Sequence, residues 1–469
     1  MGTSAGVMGL GWLSLQLIVK PQSLQPQMAW LPGWQTPETT PEATQTLTAI
    51  RAELQRQGWR SGELLNLGKN QSILDAKSSV SEWLMPVLDT RSNCFSDCDR
   101  LVELRIYQQV PDRPQTPEAK DQYVLVTQLP LTGLEESFAI APLVDATSNH
   151  QGSSRALPFT QLQRFEGTVP TPGFWFNVSG NRTRGDEAIA YGQIVYYHPN
   201  THHLSLKLSW TSPAAELPIW KNVTGNSLPE LVINQTVGME PQFEIYQVKP
   251  QRFVYSPVQL EAISLSTAHM DESHYQSALW LARNRLWSTS LAWLKALQAR
   301  SPKLWTEPVQ AQMALIQWHA QSTQTQAESS WASPSQQILA NLLDGRWERA
   351  TTIFTRSLEA SQETVGLLKA DQGRLENRVK AALRVSPGKF EVKAWGALLI
   401  GAKETPQHAI SWLQKQPQTS PANILRIRGF LQRLDPNFEP VQPPTMPLNQ
   451  ASPSPAPTVL PEPTLPPPQ

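Results

Sequence analysis

Three histidines, His198, His202 and His203, crowd one short stretch, with Asp186 and Glu187 a few residues ahead of them. Imidazoles and carboxylates gathered at a tight turn are the side chains that hold zinc or a similar cation. Such an ion would make this stretch the centre of a metal-dependent enzyme. The spacing matches no ligand pattern of that kind, and surface turn histidines are the plainer reading. Cys94 and Cys98 are the chain's two cysteines. They would close one short-loop disulfide in an oxidising compartment and stay free thiols in a reducing one. Their spacing is not that of a thioredoxin-like redox site, and two cysteines do not complete a structural zinc site.

Further candidates are weaker. Trp175, Trp210 and Trp220 offer indole faces that could stack on a sugar ring, although such residues are more often core. The polar turn before Glu230 has Asn222 and Asn226 where a calcium loop needs carboxylates. Arg374, Arg378, Lys380 and Arg384 form a basic stripe that reads as a solvated helix face. Asn70, Asn177, Asn181, Asn222 and Asn234 begin glycosylation sequons. The sequence holds no phosphate-cradling Gly-Lys loop, no histidine pair about a glutamate and no nucleophile elbow. No cofactor is expected from it.

The histidines sit at the tip of the clearest hairpin in the chain. Ile194 to Tyr197 lead into His198-Pro199-Asn200-Thr201, and Leu204, Leu206, Leu208 and Trp210 then alternate with polar residues. That alternation predicts a strand buried on one side. Val102, Leu104 and Ile106 alternate in the same way, and Tyr123 to Leu129 is β-rich. Phe174 to Val178, Glu230 to Ile233, Phe243 to Val248 and Phe253 to Tyr255 add short strands. A leading helix carries Leu47, Ile50 and Leu54, opened by Thr40-Pro41 and closed at Gly58.

From about Ser264 the apolar period becomes helical. Asp271 is placed to cap a helix holding Tyr275, Ala278, Leu279 and Ala282. Trp287 to Leu297 and Val309 to Ala320 follow, then a polar loop from Ser322 to Ala332. Ser333-Pro334, Thr405-Pro406 and Ser420-Pro421 each announce a helix start, because a hydroxyl caps and proline is tolerated at the first position. Between them lie helices at Trp347 to Leu358, Thr364 to Leu383 and Val392 to Ile400.

The segment from Leu342 through Asp344-Gly345 to Trp347, Ala350, Phe354 and Leu358 resembles the second half of a tetratricopeptide repeat. A small residue lets two helices approach, and the aromatics fill the space beside it. Lys403 to Leu413, with Ala409 and Trp412, looks like a looser copy, and Arg285 to Leu297, with Ser290 at the small position, a looser one still. Ala350 and Ala409 lie about 59 residues apart, against a family period of roughly 34. The resemblance implies an α-hairpin, solenoid-like domain with a protein-binding surface, helix packing at Trp347, Ala350 and Phe354, and a protein partner.

Lysine plus arginine and aspartate plus glutamate balance at 39 each, which argues against a nucleic-acid binder. The stretch from Met1 to Val19 is free of charge, and Lys20 follows. It reads as a single membrane anchor, a secretory signal or an apolar segment of a soluble chain. These readings give an α+β chain: an anchor- or signal-like segment over 1–20, a linker over 21–40, a β-rich sandwich or bent-sheet domain with a leading helix over 41–263, an α-hairpin domain over 264–437 and a disordered Pro-rich tail over 438–469. The expected function is non-catalytic: a membrane-anchored envelope protein, its bulk outside the cytoplasm, that binds another protein. A glycan-binding module and a metal-dependent enzyme are the alternatives.

Overall fold

A computed structural model describes residues 44–74, 78–90, 98–110, 122–143, 152–184, 187–251 and 257–438. The apolar segment 1–20, the linker 21–40, Thr40-Pro41, Cys94, Asp186, the strand expected at 253–255 and the tail from 439 lie outside the described residues. No described helix is long and apolar enough to cross a membrane. The chain is α+β, with a β-rich first half and a helical second half. It forms two compact units. One takes the described residues up to Val237 together with Gln242–Ala262; the other takes Gly238–Pro241 together with those from Ile263 on.

The β-rich unit begins with a two-residue strand β1 (Gln45–Thr46) and helix α1 (Leu47–Arg56). Thr46 caps that helix by accepting the Ala49 amide, and Ile50 and Leu54 are its buried face. They pack on Met85, Val87 and Tyr107 from one side of the first sheet. This sheet contains β2 (Trp59–Ser61), β3 (Leu65–Gln71), β4 (Ser79–Thr90), β5 (Asp99–Gln109) and β6 (Gln122–Pro130), in the order β1-β6-β5-β4-β2 with β3 also on β4. A short ladder, β7 (Leu134–Glu135) with β8 (Ala156–Leu157), flanks helix α2 (Glu136–Ile140).

The second sheet holds β9 (Gln161–Arg164), β10 (Phe174–Arg184), β11 (Glu187–His198) and β12 (His203–Ser212), paired in sequence order. The third holds β13 (Ile219–Lys221), β14 (Glu230–Asn234), β15 (Phe243–Pro250) and β16 (Val258–Ala262). Three sheets therefore stack, and the second is buried on both faces. Tyr191, Val195 and Tyr197 join Leu84, Leu104 and Ile106 in a core with the first sheet. Ala190, Ile194 and Tyr196, one position out of phase, join Leu231 and Ile233 in a core with the third.

The expected one-sided alternation in β12 is corrected by a bulge. Ile194 pairs with Leu208 and Val195 with Leu206, so Lys207 is an extra residue. An extra residue reverses which face the later side chains meet. Leu204 accordingly packs with the first core, Trp210 with the second, and Leu206 is exposed. Val102 is extra in β5 in the same way, between the pairs Glu103–Val87 and Leu101–Leu88.

The helical unit contains α3 (Ser273–Arg283), α4 (Trp287–Arg300), α5 (Glu307–Glu328), α6 (Pro334–Leu343), α7 (Trp347–Arg356), α8 (Leu358–Ala370), α9 (Arg374–Val385), α10 (Phe390–Lys403), α11 (Pro406–Gln414) and α12 (Pro421–Leu434). Ser333, Thr405 and Ser420 cap α6, α11 and α12, each with proline next in the chain. Each such cap contributes about 1 kcal/mol. Glu272, not Asp271, caps α3 by accepting the Tyr275 amide at 2.7 Å. The polar loop expected after Ala320 is helix as far as Glu328, because Thr323 and Ala327 extend the buried stripe. The single helix expected over Thr364 to Leu383 is two. Asp371 takes the amides of Gly373 and Leu375, and Gly373 adopts φ +94°, a conformation that suits glycine. The buried faces of α3, α4 and α5 share one core, and α6 to α12 share a second around the thoroughly buried α10.

Candidate functional site

The three histidines do not converge. His198 Nδ1 accepts the Thr201 amide at 3.3 Å, as the cap of the one-turn helix Pro199–Thr201. Burial lowers its pKa. His203 is lowered first by burial and then by the nearby charges of Lys207 and His198. His202, in a left-handed conformation at φ 48°, instead turns its Nδ1 to within 3.4 Å of Glu82 Oε1. Among the described residues, no group of three or more His, Cys, Asp or Glu side chains is placed to hold a metal ion. Cys98 is disulfide-bonded, and Cys94 lies outside the described residues.

What the hairpin tip builds is a polar hub around Glu82, a residue the sequence reading passed over. Glu82 Oε1 accepts from Asn70 Nδ2 at 3.1 Å, Gln108 Nε2 at 2.8 Å and the Tyr197 hydroxyl at 2.9 Å. Burial alone would raise its pKa. The hydrogen bonds from His202, Gln108, Asn70 and Tyr197 outweigh burial and hold the carboxyl below its usual range. The hub joins the first sheet to the hairpin of the second. Its physical role is to satisfy a carboxylate that is 1% exposed.

The β-domain aromatics give no sugar platform of the expected kind. Trp175 and Trp210 are each 1% exposed, and their ring nitrogens donate to Pro170 O and Asn177 Oδ1. Trp220, half-buried, packs in the same cluster with its ring centroid 4.9 Å from that of Trp175 and the two planes tilted by 60°. Asn177 itself is fully buried, so its sequon is inside the fold. The Asn222 turn closes on itself. Asn222 Oδ1 accepts the Gly225 amide, and buried Glu230 accepts the amide of Val223 and the hydroxyl of Thr224.

In the helical unit the repeat-like residues fall where helices meet. Trp347, Ala350 and Phe354 are all buried on α7, and the Trp395 ring nitrogen donates to Trp347 O and Thr351 Oγ1. The turn ahead of α7 has a counterpart ahead of α4. Arg346 N bonds Asn341 O at 2.8 Å and Leu286 N bonds Leu281 O at 3.0 Å, each closing the preceding helix. Gly345, at φ +76°, and Arg285, at φ +62°, occupy the same left-handed position. Ser290 matches Ala350 as the buried small residue, its hydroxyl donating to Ala278 O at 2.7 Å. Trp412 on α11 reaches the Cα of Gly396, where an added methyl carbon would lie 2.4 Å from the indole.

The basic stripe is not wholly solvated. Arg378 is fully buried and grips Glu240 fork to fork, at 2.9 and 2.6 Å. Arg285 reaches the same carboxylate at 3.4 Å. Burial raises the pKa of Glu240, but Arg378, then Arg285 and Arg374, lower it further than burial raises it. Met239, next in the chain, packs against the apolar core.

The opposite end of the stripe borders a cleft of about 600 Å³. Its α3 wall is Ser273, Gln276, Ser277, Trp280 and Arg283, the helix face opposite buried Tyr275, Ala278, Leu279 and Ala282. Trp293 comes from α4, and Arg384 and Val385 from α9. The Arg384 guanidinium lies 4.7 Å over the Trp280 ring. His274 is held by Glu272 at 2.7 Å, with its ring 6.2 Å from that of Trp293. Part-exposed indoles beside exposed guanidiniums are the residue types enriched where proteins bind proteins. His274 reads in the sequence as a capping or surface residue at a helix start, and the cleft as a unit was not singled out. The spacing of Ser273, Ser277 and Trp280 on one helix face is the signal that could have found it.

No protein-family model, curated protein or solved structure matches the chain.

Proposed function

We propose that this chain is a non-catalytic protein that recognises another protein through its helical unit. The observation that carries this reading is the α3–α4–α9 cleft. It has two part-exposed tryptophans, two exposed arginines and the volume to seat a short stretch of a partner chain. The tetratricopeptide-like turn and small-residue packing at Ala350 and Ser290 support it, because stacked α-hairpins are built to present side chains along one face. The chain is held at a membrane by the apolar segment 1–20, with its folded parts outside the cytoplasm. The disulfide at Cys98 favours that oxidising compartment.

Co-purification from native cells tests the reading. The full chain should retain an identified partner that binds it again when both are pure. A chain lacking Glu272 to Asp435 should lose it. Retention of every partner by the shorter chain would contradict the proposal. Cell fractionation with thiol alkylation checks the location, and an alkylation-resistant protein in the membrane fraction is expected.

A further inference from the structure

The following rests on the protein-binding reading and names what the cleft takes. Helices α3 and α9 run past each other in opposite directions. Arg285 at the end of α3 meets Arg378 of α9 across Glu240, while Trp280 earlier in α3 meets Arg384 later in α9. The stripe is thus used differently along its length. At its first half an internal carboxylate satisfies Arg378 and Arg285. At its second half Arg384, together with Arg283 of α3, borders the open cleft.

Among the described residues that line the cleft there is no aspartate or glutamate. Two carboxylates stand beside it and both are engaged: Glu272 with His274 Nδ1 and the Tyr275 amide, and Asp271 with Gln276 Nε2 at 3.5 Å. Neither carboxylate reaches Arg283 or Arg384 as an ion pair, so an anionic group from outside complements the two guanidiniums. The remaining lining is two indoles, His274 and Val385, with Ser273, Gln276 and Ser277 as the other polar groups. Flat aromatic walls with few hydrogen-bonding groups suit the ring of a proline, whose extended segment is already ordered and loses little entropy on docking.

We infer that the α3–α4–α9 cleft binds an extended segment of a partner protein in which a glutamate or aspartate stands beside a proline. The partner's carboxylate takes Arg384 and Arg283 as Glu240 takes Arg378 and Arg285. The pyrrolidine ring lies on Trp293, since the Arg384 guanidinium already covers the Trp280 ring.

The test uses the full chain and short labelled peptides centred on Pro-Glu-Pro, Pro-Gln-Pro and Pro-Lys-Pro, followed by fluorescence anisotropy. The Glu peptide should bind about tenfold more tightly than the Gln peptide. Arg384→Glu should weaken the Glu peptide about tenfold and turn the preference to the Lys peptide. Trp293→Ala should weaken all three. Arg384 is exposed, so its variant keeps the unfolding midpoint of the parent, which separates lost binding from lost folding. Equal binding of the Glu and Gln peptides, or a Glu-peptide affinity unchanged in Arg384→Glu, would overturn the assignment. If Arg384→Glu still captures the partner that the helix deletion loses, this assignment fails while the protein-binding reading stands.

Discussion

Arg378 gives both of its outer nitrogens to Glu240, although the two residues lie 138 positions apart in the chain. The guanidinium is 1% exposed and the carboxylate 11%. Two charges removed from water this far are stable only together, since each would otherwise carry an uncompensated desolvation cost. The fork geometry supplies two parallel hydrogen bonds, and Arg378 Nε remains without a protein partner.

Breaking this pair from one side should therefore be costly. Arg378→Met leaves Glu240 buried without its two fork hydrogen bonds, with the charges of Arg285 and Arg374 in partial compensation, and a loss of about 3 kcal/mol is expected. The double change with Glu240→Gln should recover a large part of that loss, because the stranded charge goes with it. Urea unfolding of the parent, both single variants and the double variant gives the coupling directly. Additive losses would show that the pair does not act as a unit.

Acid should weaken the helical unit before its carboxylates titrate. His319 is buried against Trp287, with ring centroids 4.0 Å apart, and its Nδ1 is bonded to Leu315 O. Burial, helped by the charge of Arg285, pushes its pKa down to about 4 from 6.5. The unfolded chain thus binds a proton between those values that the folded chain refuses. Stability is fully present above pH 6.5, falls as the pH drops toward 4, and then levels off for this group. The loss amounts to about 3 kcal/mol. His319→Gln should flatten the slope across that window. His198 and His203 push the β-rich unit in the same direction, so the difference between parent and variant is the quantity to read. Glu82 and Glu240, both held below the usual carboxylate range, add their losses only at lower pH.

The turn before α7 should tolerate more than the helix packing after it. Gly345 sits at φ +76°, and an added methyl carbon would lie 3.2 Å from Thr289 Oγ1. Arg285 holds the matching position with a full side chain, so Gly345→Ala should fold, with a loss of about 1 to 2 kcal/mol. Ala350 is completely buried between helices. Ala350→Leu forces them apart and should cost about 1 to 3 kcal/mol or more. Thermal unfolding of the two variants ranks them, and the reverse order would contradict the packing role assigned to Ala350.

Local chemistry was the legible part of this fold. Ser333, Thr405 and Ser420 carry their caps and their prolines in adjacent positions, and each starts a helix where it stands. Period and composition misled where the deciding contact is distant. The bulges at Lys207 and Val102 switch faces within runs that look regular. Thr323 is polar by type yet buried, its hydroxyl donating to Asp344 at 2.7 Å, so α5 continues through a stretch that reads as loop. The doubly buried second sheet had a signal in the unbroken apolar run Ile194 to Tyr197, which is how a strand covered on both faces reads. Arg378 had none. In sequence it matches Arg374 and Arg384, and only the fold brings Glu240 to it. The cleft had a signal in one wall alone, the α3 face, because Trp280, Trp293 and Arg384 come from three helices.

Site-specific photo-crosslinking in native cells reads out what occupies the cleft. A photoreactive residue at Ser277 lies in the cleft wall, and one at Leu425, 66% exposed on α12, serves as the control. Ser277 should give a discrete protein adduct that fades when Arg384→Glu is added, and Leu425 should give no such adduct. The same adducts from both positions, or a Ser277 adduct that persists unchanged with Arg384→Glu, would contradict this assignment of the cleft.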